Sequence, residues 1–165
     1  MNLVDSLKRE FEHETATTRK HLERLPEAKI GWRPHEKSFS TGDLASHIVE
    51  CLGWSESIFN ADEYDLDMAN YRPYQATTKD DLLKTFEKNV AKAKEVLNNV
   101  RESSLEDSWQ LKMNGQQFFE KPRAEVFRDF VLSHIIHHRG QFSVYLRLLE
   151  VPVPGSYGPS ADEQG

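Results

Sequence analysis

Apolar residues recur every three to four positions through most of this chain, and that spacing restricts it to a largely helical fold. In the first segment Leu3, Leu7, Phe11, Leu22 and Leu25 share one face of a helix. The same pattern predicts helices over about residues 2–25, 41–60, 78–101 and 122–149. Four helices with apolar inner faces predict an all-α fold, a four-helix bundle. An open three-helix arrangement completed by a swapped partner is the alternative.

Two connections interrupt the helical pattern. A long polar connection, residues 61–77, links the second and third helices. Residues 109–119 alternate apolar and polar side chains around Asn114-Gly115. Asn-Gly between two such runs is a strong hairpin signal, so a small two-stranded excursion is predicted before the fourth helix.

Composition narrows the class of protein. Hydrophobic residues make up 38% and charged residues 29% of 165 positions, which favours a single globular domain. We expect this domain to span residues 1–150 and an irregular tail to follow over residues 151–165. The net charge of −6 opposes binding to nucleic acid or to an anionic membrane. We also expect no membrane span and no signal peptide. Because Cys51 is the lone cysteine, no internal disulfide forms, and we expect a cytoplasmic protein.

Histidines are the most informative polar residues of the chain. His134 and His138 are four apart on the inward face of the fourth predicted helix, and His47 lies on the inward stripe of the second. One divalent ion can take two ligands from one helix and one from another. Core histidines satisfied by hydrogen bonds are an equal alternative on the pattern alone. His137 forms a competing pair with His134, but it points about 100° away from His138.

Several familiar chemistries are absent from the sequence. The histidines form neither the His-Glu-x-x-His pattern of zinc proteases nor the Glu-x-x-His pattern of di-iron bundles. Cys51 has no Cys-x-x-Cys partner. The glycines form no phosphate-binding loop, and no serine lies in a nucleophile elbow. The histidine cluster therefore carries the strongest functional hypothesis.

Four sequence elements in order give the chain a family resemblance. They are Trp32–Pro34, Ser40–His47, the His-x-x-x-His-Arg-Gly-Gln element of His134–Gln141, and the terminal segment Val153–Asp162. Together they resemble the DinB/YfiT-like superfamily of predicted metalloenzymes over essentially the whole chain. The histidine element with its upstream histidine is the specific part of the resemblance.

The resemblance implies a four-helix bundle, usually a homodimer, with one divalent metal ion bound by three histidines. Carried over to this sequence, the ligands are His47, His134 and His138. Zinc or nickel is favoured, with iron or manganese as alternatives. Similar proteins include thiol-dependent enzymes, namely bacillithiol transferases and a mycothiol-dependent maleylpyruvate isomerase.

Three neutral imidazoles leave a metal ion an open coordination position, which is typical of catalytic sites. We therefore expect a metal-dependent enzyme whose ion holds a low-molecular-weight thiol as thiolate for transfer to an electrophile. Metal-hydroxide hydrolysis of a small substrate and a non-catalytic, dimeric binding or stress-response bundle are the alternatives. Residues expected to support the ligands or contact substrate are Glu14, Arg139, Gln141 and Tyr157.

Overall fold

A computed structural model describes residues 2–163 of the chain. Its helices are α1 (Leu3–Leu22), α2 (Thr41–Cys51), α3 (Trp54–Asn60), α4 (Lys79–Asn99), α5 (Arg123–Phe127) and α6 (Ser133–Leu148). A π-helical turn, Arg128–Leu132, joins α5 to α6, so helical backbone is continuous from 123 to 148. Within residues 2–163, no helix combines the length and the apolar character needed to cross a membrane.

The helices α2 and α4 begin where the sequence places hydroxyl caps. The Ser40 side chain accepts a hydrogen bond from the Asp43 N–H, and the Thr78 side chain accepts one from the Asp81 N–H. Each cap satisfies a backbone donor that the first helical turn leaves unpaired. The Ser40 cap fixes the start of α2, which carries His47.

The single helix predicted over 41–60 is wrong, because the chain breaks it into α2 and α3. At the break the Gly53 N–H donates to the Glu50 carbonyl at 2.9 Å, and the Ser55 N–H donates to the Leu52 carbonyl at 3.3 Å. These bonds span three residues rather than four and tighten the turn as in a 3₁₀-helix. The tightened turn redirects the chain, and α3 packs against α4.

The all-α prediction is also wrong, because helices account for 57% of the chain and a three-stranded mixed sheet accompanies them. The strands are β1 (Glu63–Leu66), β2 (Ser108–Met113) and β3 (Gln116–Pro122), in the order β1-β2-β3. β1 pairs in parallel with β2, although α4 separates the two strands in the sequence. β2 pairs antiparallel to β3. β1 lies within the polar connection, where no apolar alternation marks a strand.

The hairpin between β2 and β3 turns at Asn114-Gly115, as the sequence predicts. Both residues have positive φ, 51° and 78°, which the tight turn requires. The register shifts by one residue after Leu111, so β3 contains a bulge. Trp109 of β2 is fully buried, and its Nε1–H donates to the Ser57 carbonyl at 3.1 Å. This contact fixes the sheet onto the helical core.

The C-terminal segment folds back onto the helices without forming a helix or strand over residues 151–163. Val151 and Val153 pack against the apolar core. Asp162 accepts from Arg147 at 2.5 Å and from the Val153 N–H at 2.9 Å. The irregular tail predicted over 151–165 thus has a fixed path through residue 163, and its last two residues lie outside the described ones.

We expect Gly42→Ala to destabilise the protein by about 1–3 kcal/mol because an added methyl group overfills the core. A Cβ at Gly42 would lie 2.4 Å from Ile30 Cγ1 and 3.1 Å from the Ile30 carbonyl oxygen. Gly140→Ala is the matched control, since a Cβ there meets nothing within 4 Å and alanine favours the helix. Urea denaturation of both variants tests this prediction, and equal stabilities would contradict it.

Candidate metal centre

The packing of α2 against α6 brings three predicted ligands together. The ring centroid of His47 lies 5.1 Å from that of His134 and 4.7 Å from that of His138. The His134 and His138 centroids are 4.8 Å apart. His138 is buried, and the other two rings are half-buried. Three imidazoles from two helices therefore meet at one level of the core.

The possible ligand atoms that lie close together include a cysteine and leave out His138. Among residues 2–163, His47, Cys51 and His134 form a group able to hold a metal ion, with ligand atoms all within 4.8 Å of one another. The two Nε2 atoms of His47 and His134 are 3.3 Å apart. The Cys51 Sγ lies 3.9 Å from the His47 Nε2. The cysteine is four residues after His47, so it repeats on α2 the spacing of the histidine pair on α6.

Each histidine has an outer partner close to it along its own helix. The His47 Nδ1 lies 3.5 Å from Glu50 Oε2, and the His138 Nδ1 donates to Gln141 Oε1 at 2.8 Å. His134 interacts with the backbone of Phe130, in the π-helical turn. Carboxylates, amides and carbonyls in this position orient metal-binding imidazoles and fix their tautomers.

Burial holds two of these histidines in the neutral form. It lowers the pKa of His138 to about 4, assisted by the nearby His47 and His134, while Gln141 opposes the shift. Burial is also the main cause of the lowered pKa of His134, with His47 adding to it. A metal ligand must present an unprotonated nitrogen, so these imidazoles are ready to bind near neutral pH.

The arrangement fits a divalent cation. A neutral imidazole that donates through one nitrogen leaves the other as a bare acceptor. The Nε2 atoms of His47 and His134 lie 3.3 Å apart, and the tautomers decide whether one ring donates an N–H to the other or both present lone pairs. A divalent ion satisfies both nitrogens when both present lone pairs.

The Cys51 thiol is protonated in this environment. Burial, together with the charge of Glu50, raises the pKa of Cys51 to about 12. The thiol is 1% exposed, and its sulfur points toward His47. A cysteine held as a buried neutral thiol becomes a thiolate when it coordinates a metal ion.

A cleft of about 340 Å³ opens beside His47. Its lining includes Phe39, Asp43, Glu50, Tyr71 and Tyr74. The Tyr71 hydroxyl donates to Glu50 Oε1 at 2.6 Å. Burial raises the pKa of Glu50, but hydrogen bonds from His47, Tyr71 and the Tyr74 N–H together hold that pKa below its ordinary value. Glu50 thus connects a histidine of the cluster to the wall of the cleft.

Three of the predicted supporting residues form a separate network, in which Arg139 and Glu14 are buried and Tyr157 is exposed. Arg139 lies 2.7 Å from Glu14 Oε2 and donates to the Thr18 hydroxyl at 3.1 Å and to the Tyr157 hydroxyl at 2.8 Å. The Tyr157 hydroxyl in turn donates to Glu14 at 2.9 Å. Within residues 2–163 none of their hydrogen bonds goes to the three histidines. Among the described residues, Gln141 is the one supporting residue of the four whose side chain hydrogen-bonds to a predicted ligand, His138.

Sequence reasoning missed Cys51, Glu50 and Tyr71. Cys51 and Glu50 follow His47 by four and three residues, so a search for polar residues on its helical face would have found both. Tyr71 lies in the polar connection and gives no comparable signal. His137 is exposed, although its ring lies 4.8 Å from that of His138.

The fold and the site define a helical protein with a small sheet and a candidate metal centre between two of its helices. A family model for the DinB family matches residues 1–164, so the chain belongs to that family. The uncharacterized protein YrdA of Bacillus subtilis (strain 168) is 27% identical over 167 positions, covering 97% of this chain and 91% of that protein.

Two solved structures have a similar fold. A DinB-like protein from Bacillus cereus ATCC 10987 has a TM-score of 0.72 at 20% identity, covering 93% of this chain and 97% of the other. The DinB-like protein YjoA from Bacillus subtilis has a TM-score of 0.68 at 18% identity, covering 97% and 99%. The whole chain therefore shares its architecture with other DinB-like proteins.

We expect the metal-free protein to lose stability as the pH falls from about 6.5 to about 4. The unfolded chain protonates His138 near its ordinary pKa of 6.5, whereas the folded chain does so only at about 4. Protonation in this range therefore favours unfolding, by roughly 3 kcal/mol for the full pKa difference. Denaturation across this pH range in a chelating buffer should show that the free energy of unfolding depends less steeply on pH in His138→Gln. The exposed His35→Gln control should keep the wild-type slope, and parallel curves for wild type and His138→Gln would contradict the prediction.

We expect Arg139→Leu to cost about 3–5 kcal/mol, because it leaves the buried Glu14 carboxylate without its cation. Arg128→Leu is the matched control, since it removes the more exposed ion pair with Glu10 and should cost less than about 1 kcal/mol. Denaturation midpoints compare the two variants. Similar losses of stability in the two variants would mean that the buried ion pair of Arg139 with Glu14 contributes little to folding.

Proposed function

We propose that this protein is a metal-dependent enzyme whose divalent ion is held by His47, His134 and His138. The observation that carries the proposal is the close approach of the imidazoles, with the Nε2 atoms of His47 and His134 3.3 Å apart and the ring of His138 beside both. The family resemblance supports the same three ligands. Zinc or nickel suits an imidazole-rich site, with iron and manganese as further candidates.

The reaction that we propose is transfer of a low-molecular-weight thiol to an electrophile. When bound, the divalent ion supplies Lewis acidity and favours the thiolate form of a thiol. Gln141 accepts from the His138 Nδ1, and Glu50 lies 3.5 Å from the His47 Nδ1, so each outer partner favours the tautomer that leaves Nε2 free to bind the ion. Resemblance to thiol-dependent enzymes favours this reaction over metal-hydroxide hydrolysis.

The cleft beside His47 suggests the kind of electrophile that the protein accepts. Its volume of about 340 Å³ suits a small molecule. Phe39, Tyr71 and Tyr74 provide aromatic walls, and Asp43 and Glu50 contribute carboxylates. No lysine or arginine is among the residues that line it. These features favour a neutral or positively charged electrophile with an apolar portion.

Elemental mass spectrometry of protein purified without a histidine tag tests the metal site. We expect about one divalent ion per chain, lost in His134→Ala and in His138→Ala because each removes a ligand. His137→Ala is the matched control on the same helix and should keep the ion, since its ring is exposed. A protein that takes up no zinc, nickel, iron or manganese would contradict the proposal and favour a non-catalytic binding or stress-response protein.

The metal-loaded protein then tests the reaction. We expect it to consume cellular thiols with model electrophiles above the uncatalysed rate, and His134→Ala should abolish this activity. Ester or amide hydrolysis without thiol consumption would identify the hydrolase alternative instead. The homodimer implied by the resemblance stays a prediction, which light scattering can test on the same samples.

A further inference from the structure

We propose that Cys51 is a ligand of the same metal ion, so that α2 supplies His47 and Cys51 while α6 supplies His134 and His138. The inference rests on the proposed metal site and specifies how that site is completed. Each helix then contributes a pair of ligands at a spacing of four residues, which places both members on one helical face.

The distances among His47, Cys51 and His134 agree with a shared ion, whereas His138 is placed beside them by its ring, whose centroid is 4.7 Å from that of His47. A tetrahedral ion with metal–nitrogen bonds of about 2.05 Å and a metal–sulfur bond of about 2.3 Å holds two nitrogens about 3.3 Å apart and sulfur about 3.6 Å from nitrogen. The two Nε2 atoms are 3.3 Å apart, and the Cys51 Sγ is 3.9 Å from the His47 Nε2. Only a small movement of the thiol brings its sulfur to the same ion.

Among residues 2–163, the Cys51 sulfur has one polar contact, with the His47 Nε2. The residue is 1% exposed. Cysteine is also a common buried apolar residue, but its packing alone would not require the sulfur to face a pair of imidazoles. On coordination, the S–H bond is replaced by a metal–sulfur bond and the proton passes to solvent, with no electron transferred.

Thiolate ligation changes which ions the site selects. A soft sulfur donor favours zinc or cobalt and disfavours manganese, in contrast to three imidazoles alone. Four protein donors also fill a tetrahedral ion. A substrate thiol then reaches the metal only when the ion becomes five-coordinate or when Cys51 leaves. Cys51 would thereby control access to the reactive position.

Cobalt(II) titration of the metal-free protein tests this inference by absorption spectroscopy. We expect intense thiolate-to-cobalt charge-transfer absorption in the near ultraviolet together with the weaker visible bands of tetrahedral cobalt. Cys51→Ala and Cys51→Ser should lose the charge-transfer absorption and retain visible bands from the histidines. Zinc-over-manganese preference, measured by competition, should fall in both variants.

The controls separate this inference from the proposed function. His137→Ala should give the wild-type spectrum. Thermal unfolding of metal-free Cys51→Ala and Cys51→Ser should show that both variants fold. Cobalt binding without charge-transfer absorption, unchanged in Cys51→Ala, would overturn the role of Cys51 and leave the histidine site standing. Absence of cobalt and zinc binding in the wild type would overturn both.

Discussion

The close approach of α2 and α6 is the constraint on which the candidate site depends. It brings imidazoles from two helices into a buried space in which each nitrogen needs a partner. Outer groups on the same helices satisfy one side of the His47 and His138 rings. On the inner side the Nε2 atoms of His47 and His134 lie 3.3 Å apart. The chemistry of the site therefore follows from helix packing rather than from a dedicated binding loop.

Local backbone features position the histidines between α2 and α6. The Ser40 cap and the close contact of Gly42 with Ile30 fix the start of α2, one to two turns before His47. On the other side, a π-helical turn precedes α6 and offers Phe130 as a partner for His134. π-Helical turns inside helices are frequent at functional sites because the extra residue per turn rotates the side chains that follow.

Sequence reasoning succeeded where interactions are local along the chain. Helical periodicity located four helical regions and placed His47, His134 and His138 on inward faces, and Asn114-Gly115 marked the hairpin. It failed where pairing is distant in sequence. β1 is mostly polar and exposed. It forms a strand because it pairs with β2, and its own composition does not predict one. Arg139 adjoins His138 in sequence, yet it faces α1 and the tail, a direction that only packing determines.

The parallel pairing of β1 with β2 has a consequence for the order of folding. The two strands are separated by α4, so the sheet closes only after a long loop of chain has been brought back on itself. The helix pair that holds the histidines closes a longer loop, because His47 and His134 are 87 residues apart, whereas Glu63 of β1 and Lys112 of β2 are 49 apart. The segment with Tyr71 and Tyr74 lies between β1 and α4. We therefore expect β1 to pair with β2 before α2 and α6 bring the histidines together, so that one end of the segment that walls the cleft is anchored before the candidate centre exists.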